Sequence, residues 1–140
     1  MSRNPSKELD RGASVVQGVD ELKTLRDRFV HPKVRRADWT PVNDTTLTVD
    51  FGSSKALGLP FDTGVWRPHE SIVALRAAVD FYNYFFLELC ELNSNQTCEI
   101  LVGDGPVDLN NVAGYQMDGM GDLKAAADKW HLSFRFLGFQ

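Results

Sequence analysis

The residues with the clearest chemical potential are Arg26 and His31, separated by four residues in the string Leu25-Arg26-Asp27-Arg28-Phe29-Val30-His31-Pro32-Lys33. An imidazole can take a proton from a ribose 2′-hydroxyl or give one to a leaving oxygen. A guanidinium can stabilise the charge that gathers on a phosphorane. No metal is required for that pairing. Asp27 and His31 are four apart and share a helical face, where a carboxylate can fix the imidazole tautomer or raise its pKa. Arg26 and His31 are five apart, roughly 140° around a helix, so they converge only where the helix end distorts. Pro32 is placed to cause that distortion. The same string also fits a helix-ending histidine flanked by solvated arginines, and both readings stay open on spacing alone.

The elements that must position these residues follow from apolar periodicity. Leu22, Leu25 and Phe29 recur at three and four residues and make one stripe of a short helix. Its end is set by Pro32, which removes a donor and forces His31 out of the α region. Residues 35–43 read as loop, and residues 45–51 alternate Leu47, Val49 and Phe51 with polar residues, as a strand does. Pro68 and Glu70 open the strongest element, a helix without internal Pro or Gly as far as Leu92. Ile72, Leu75, Val79, Tyr82, Phe86 and Leu89 form its stripe, and Ala78, Phe81, Phe85 and Leu92 widen it. So broad an apolar surface belongs in a core or an interface. Beyond a polar break at residues 93–96, short strands are expected at 98–102 and 132–139, with a helix from Leu123 to Trp130 capped by Asp122 between them.

The fold class is therefore α+β, a helical pair dominated by one long buried helix with a few short strands at 45–51, 98–102 and 132–139. Residues 1–17 read as a flexible lead-in and 18–140 as a single domain, which suits a chain of 140 residues. The 43% hydrophobic and 24% charged composition excludes collagen-like and fully disordered chains. Two cysteines, Cys90 and Cys98, are too few for a disulfide scaffold. Each is expected to pack as a small apolar residue, Cys90 in the long helix and Cys98 in a strand. The polar N-terminus has no apolar signal-peptide core, and no stretch is long enough to span a bilayer, so a cytoplasmic location is expected. His31, His69 and His131 are far apart and neither cysteine stands at a ligand spacing, so no metal and no cofactor is expected. Asp104, Asp108, Asn110 and Asn111 miss the spacing of a calcium loop.

A net charge of −4 argues against a protein built to coat nucleic acid, but the charge is unevenly spread. Residues 1–40 hold nine bases and six acids, a balance of +3, and the remaining hundred residues carry −7. Lys23, Arg26, Arg28, Lys33, Arg35 and Arg36 face the single acid Asp27. Such a run is either a solvated face or a local phosphate-binding patch. In the second case Lys23, Arg28, Lys33, Arg35 and Arg36 would bind an RNA backbone.

The string from Arg26 to His31, followed by Pro32 and Lys33, resembles the Arg-polar-x-x-x-His signature of the HEPN superfamily. Gly58-Leu59-Pro60-Phe61-Asp62 and Trp66-Arg67-Pro68, leading into the helix 71–92, resemble the order of elements in bacterial HEPN-like proteins of unassigned function. The likeness covers residues 19–92, and residues 93–140 form a separate α+β part. It implies a helical bundle that often dimerises and joins two motifs into a metal-independent ribonuclease site, of a kind found in defence and toxin–antitoxin systems. It further implies Arg26 and His31 as catalytic residues with Asp27 as the orienting polar residue. The family's bundle places two long helices before the motif helix, and 18 residues precede Val19 here. Either the chain is a truncated member, or a partner protein supplies those helices, or the likeness stops at the motif. Two further readings stand beside it. One is a non-catalytic dimerisation or protein-interaction module using the broad apolar surface of the long helix. The other is a small-ligand-binding α+β domain with a pocket lined by Trp66, Tyr82, Tyr115 and Trp130.

Overall fold

The computed structural model describes residues 7–31, 38–102 and 119–139. Helix α1 runs Ser14–Val30, strands β1 Asp38–Asn43 and β2 Thr46–Asp50 form an antiparallel hairpin, and helices α2 Pro68–Asn83, α3 Ser94–Val102 and α4 Met120–Trp130 follow. This is a mixed α+β fold. The chain gathers into two compact units, residues 11–78 in one and residues 1–10 with 79–140 in the other. No helix among the described residues is long and apolar enough to cross a membrane.

In the first unit, α1 starts at Ser14, well before the apolar stripe begins, and buries Val16, Gly18 and Leu25. Gly18 lies inside the helix because of what packs on it. A β-carbon there would sit 3.4 Å from the Leu57 side chain and 3.7 Å from that of Ala77. Helix α2 opens on a reciprocal device: the Arg67 amide donates to Glu70 Oε2 at 2.8 Å, which satisfies a donor the helix start would leave free.

The strand at residues 46–50 matches the alternation in the sequence. Its partner β1 falls where the sequence reads as loop, since Pro41 breaks the strand signature. Pro41 pairs opposite Leu47 and lacks a donor, a placement open to it on a two-stranded sheet, where each strand is an edge. The turn between the strands is fixed by Asn43, whose Oδ1 accepts from the Thr45 amide at 2.9 Å and from the Thr45 hydroxyl at 3.0 Å. Leu47 is 56% exposed and Trp39, two positions along on the opposite strand, 64%.

In the second unit the core is Val79, Phe86, Ala127, Leu132, Phe134 and Phe136. The long helix leaves α geometry at Tyr84 and widens to π turns over Tyr84–Leu89, with the Cys90 amide donating to the Phe85 carbonyl at 2.9 Å. Glu91, at φ 56°, closes it, and Lys7 Nζ stands 2.7 Å from the Glu91 carboxylate. Cys90 is exposed at this helix end rather than packed inside.

The expected strand at 98–102 is helix α3. The polar break before it is its cap: the Asn93 amide donates to Gln96 Oε1 at 3.0 Å, and the Gln96 amide donates to Asn93 Oδ1 at 2.9 Å. Cys98 therefore lies in a helix, half-buried, and burial pushes its thiol pKa up. The expected strand at 132–139 is also absent. Leu132, Phe134 and Phe136 are buried in alternation as that reading requires, but the backbone folds into a 3-10 turn over Arg135–Leu137. Phe139 and Leu137 both donate to the Phe134 carbonyl, and Gly138 closes the turn at φ 84°. The Phe136 amide donates to Asn83 Oδ1 at 3.0 Å, and Asn83 Nδ2 donates to the Ser133 carbonyl at 2.7 Å. One buried amide from the long helix thus supplies bonds that a neighbouring strand would otherwise have made. Helix α4 begins at Met120, three residues before expectation, with Asp122 inside its first turn and no side-chain cap. Residues 103–118, with Asp104, Asp108, Asn110 and Asn111 among them, lie outside the described residues.

Three outcomes follow from this packing. Asn83→Leu keeps the branched outline of the side chain and strands the Phe136 amide, so it should lower unfolding free energy by about 1–3 kcal/mol, read as a lower urea midpoint. Gly18→Ala should raise the thermal midpoint, because the added methyl reaches ordinary contact distance and helix propensity improves by roughly 1 kcal/mol. Gly18→Leu should lower it through overpacking.

Candidate functional site

The motif residues sit at the C-terminal end of α1. Val30 is the last helical residue, and His31 leaves the helix with φ −121° and ψ 73° while its amide still donates to the Asp27 carbonyl at 2.9 Å. The distortion that the five-residue spacing demands therefore begins at His31 itself. Asp27 forms its ion pair with its neighbour: Arg26 Nη1 lies 3.5 Å from Asp27 Oδ1. No ion pair joins Asp27 to His31 among the described residues. His31, Lys23 and Arg26 are exposed, and Arg28 is half-buried with its guanidinium carbon 3.6 Å above the centre of the Phe61 ring. Lys33, Arg35 and Arg36 lie outside the described residues.

Arg26 also borders an open cleft of about 450 Å³ whose wall comprises Leu22, Leu25, Phe29, Thr63, Trp66 and Ala74. Helix α1, one position on α2 and the segment between β2 and α2 build it. The surface is overwhelmingly apolar, and Arg26 and Thr63 are the charged and hydroxyl-bearing residues of its wall. Phe29 is 74% exposed, although the i, i+3, i+4 stripe marks it for burial.

The far wall is held by short, specific bonds. Trp66 Nε1 donates to the Pro60 carbonyl at 2.9 Å, which fixes the indole. Thr63–Val65 is a 3-10 turn capped by Asp62, whose carboxylate accepts from the Gly64 amide at 2.9 Å. Upstream, Ser53 bridges Pro60, the Ser54 amide donates to the Leu59 carbonyl, and the Ser54 hydroxyl accepts from the Leu59 amide at 3.0 Å. Gly58 turns this loop at φ 66°, a conformation that glycine adopts freely.

The loop is tied to α1 by Glu21. Its carboxylate accepts from three consecutive amides: Lys55 at 2.9 Å and Ala56 at 2.8 Å on Oε1, and Leu57 at 2.9 Å on Oε2. Partial burial pushes the Glu21 pKa up, and the Ala56, Leu57 and Lys55 amides with the Ser54 hydroxyl outweigh it, so the carboxyl titrates below its ordinary value of 4.5.

Glu21, Thr63 and Ala74 carry no sequence signal for this arrangement. Trp66 does line a cleft, as the ligand-binding reading expects, but against α1. Tyr82 and Trp130 belong to the second unit, and Tyr115 lies outside the described residues. Among the described residues no three His, Cys, Asp or Glu side chains converge. Comparison with protein-family models, curated proteins and solved structures finds no match.

The sign of the Glu21 linkage is testable. A carboxyl with a depressed folded-state pKa contributes stability above 4.5 and loses it as the pH falls through the lowered value. The urea midpoint of the parent should exceed that of Glu21→Gln at pH 7, and the gap should close as the pH is lowered below 4.5. A gap that is constant with pH would mean the ionised carboxylate does not hold the loop.

Proposed function

We propose that this chain is a HEPN-like, metal-independent ribonuclease of a defence or toxin–antitoxin type, working as a homodimer. The observation that carries the proposal is the end of α1, where Arg26 and His31 are both exposed and the backbone departs from the helix at His31. In transesterification the 2′-hydroxyl loses its proton to one base, its oxygen attacks phosphorus, and the P–O5′ bond breaks as the 5′-oxygen takes a proton from an acid. The products are a 2′,3′-cyclic phosphate and a 5′-hydroxyl. Attacking and leaving oxygens stand on opposite sides of phosphorus, so one imidazole cannot serve both at once. A second copy of the chain supplies the second His31, and the Arg26 guanidinium stabilises the equatorial oxygens.

Val30, 49% exposed beside the motif, supplies apolar surface for such a pairing. Asp27 pairs with Arg26 in water, where an exposed ion pair contributes little, so a phosphate can displace it. The basic residues around the motif give backbone affinity that weakens as salt rises.

The protein should cut single-stranded RNA in the presence of EDTA and leave cyclic phosphate ends, seen by mass spectrometry. His31→Ala should lower the rate by about 10²–10⁴-fold. Cleavage by His31→Ala at the parental rate would remove the catalytic assignment, whereas a parent protein that cuts no RNA would leave this surface as an interaction module.

A further inference from the structure

Resting on the ribonuclease reading, we infer that the α1 cleft is a base-binding subsite: it seats one unstacked base of a single-stranded RNA, with Arg26 at its rim on the adjoining phosphate. Three features of the cleft select this occupant. Phe29 and Trp66 bring two aromatic rings to one cavity, and the Trp66 ring is held in place by its bond to the Pro60 carbonyl. Aromatic faces of this kind are what sequence-tolerant recognition of unpaired bases uses. The wall is otherwise apolar, and Arg26 and Thr63 are residues whose side chains carry the groups a nucleotide needs, a guanidinium for the phosphate and a hydroxyl for a base edge. The volume, about 450 Å³, lies within the ~300–1,000 Å³ range of small-molecule sites, which suits one nucleotide and is too small for a helix of a partner protein.

Charge narrows the choice further. The chain carries −4 overall, yet the helix that lines the cleft presents Lys23 and Arg26 to solvent. Arg28 stacks on Phe61, whereas Arg26 is held by an exposed pair 3.5 Å long that a phosphate can replace. Arg26 borders the cleft and belongs to the motif. A base seated there lies on the same helix as His31, so the cleft would set which phosphate reaches the imidazole.

The test uses a short single-stranded RNA carrying 2′-O-methyl groups, which cannot be cut, and follows the indole N–H resonance of Trp66 by NMR. The resonance should shift with this oligomer and stay in place with a duplex of the same sequence, whose bases are stacked. Phe29→Ser, at a position 74% exposed and so harmless to the fold, should weaken oligomer binding about tenfold. Arg26→Gln should reduce the slope of log affinity against log salt by about one. Three results would overturn the inference: oligomer binding that leaves Trp66 unmoved, adenosine monophosphate binding as tightly as the oligomer, or a Trp66 shift that follows protein concentration alone because a second copy fills the cleft. The two readings fail separately. If cutting of unmodified RNA depends on His31 while Phe29→Ser binds and cuts like the parent, the subsite is wrong and the ribonuclease stands. If the oligomer fills the cleft while the parent itself cuts no RNA, the subsite stands and the ribonuclease is wrong.

Discussion

A single carboxylate organises the first unit. Glu21 lies one turn before Leu25 on α1 and accepts from three successive amides of the loop that returns from the hairpin. Three consecutive amides pointing at one group have no partners within their own loop, and an anion satisfies them far better than a neutral acceptor would. Everything downstream inherits the placement. Leu57 comes within contact distance of Gly18 on α1, Leu59 is buried almost completely, Phe61 underlies Arg28, and Trp66 closes the cleft. The cleft that Arg26 borders thus rests on an acid earlier in the same helix.

The second unit is organised in the same way by an uncharged group. Asn83 is 6% exposed and uses its carbonyl and its amide nitrogen on the segment that follows α4. Around it, Tyr82, Phe86, Phe134 and Phe136 form a connected set of tilted and stacked rings, with centroids 5.4–6.2 Å apart. The widening to π turns begins at the residue after Asn83. Polar residues placed in helices to bind irregular backbone allow this chain to bury aromatic surface without a large sheet.

Periodicity makes the helices legible and misleads on the strands. Leu22, Leu25 and Phe29 locate α1, Pro68 and Glu70 locate the start of α2, and Leu47 and Val49 locate β2. Alternation at Leu132, Phe134 and Phe136 gives the correct inward-facing residues with the wrong backbone, because burial reports on side chains and the ladder bonds are taken over by Asn83. Asn93 and Gln96 carry a capping signal that reads as a break, since the segment after it looks too short and too β-like for a helix. The candidate site divides in the same way. Arg26, Asp27 and His31 are local in sequence and are readable there. The cleft is not, because Trp66 meets the α1 residues that line it from far along the chain and Glu21 holds the preceding loop across a similar distance, and such contacts leave no periodic trace.

The central claim is that two copies of His31 act on one phosphate. Mixing parent protein with His31→Ala at constant total concentration, and allowing the chains to exchange, tests this most directly. A composite site predicts that RNA cleavage falls as the square of the parental fraction, because mixed pairs lack one of the two imidazoles. A linear fall would show each chain cutting by itself and would contradict the shared site.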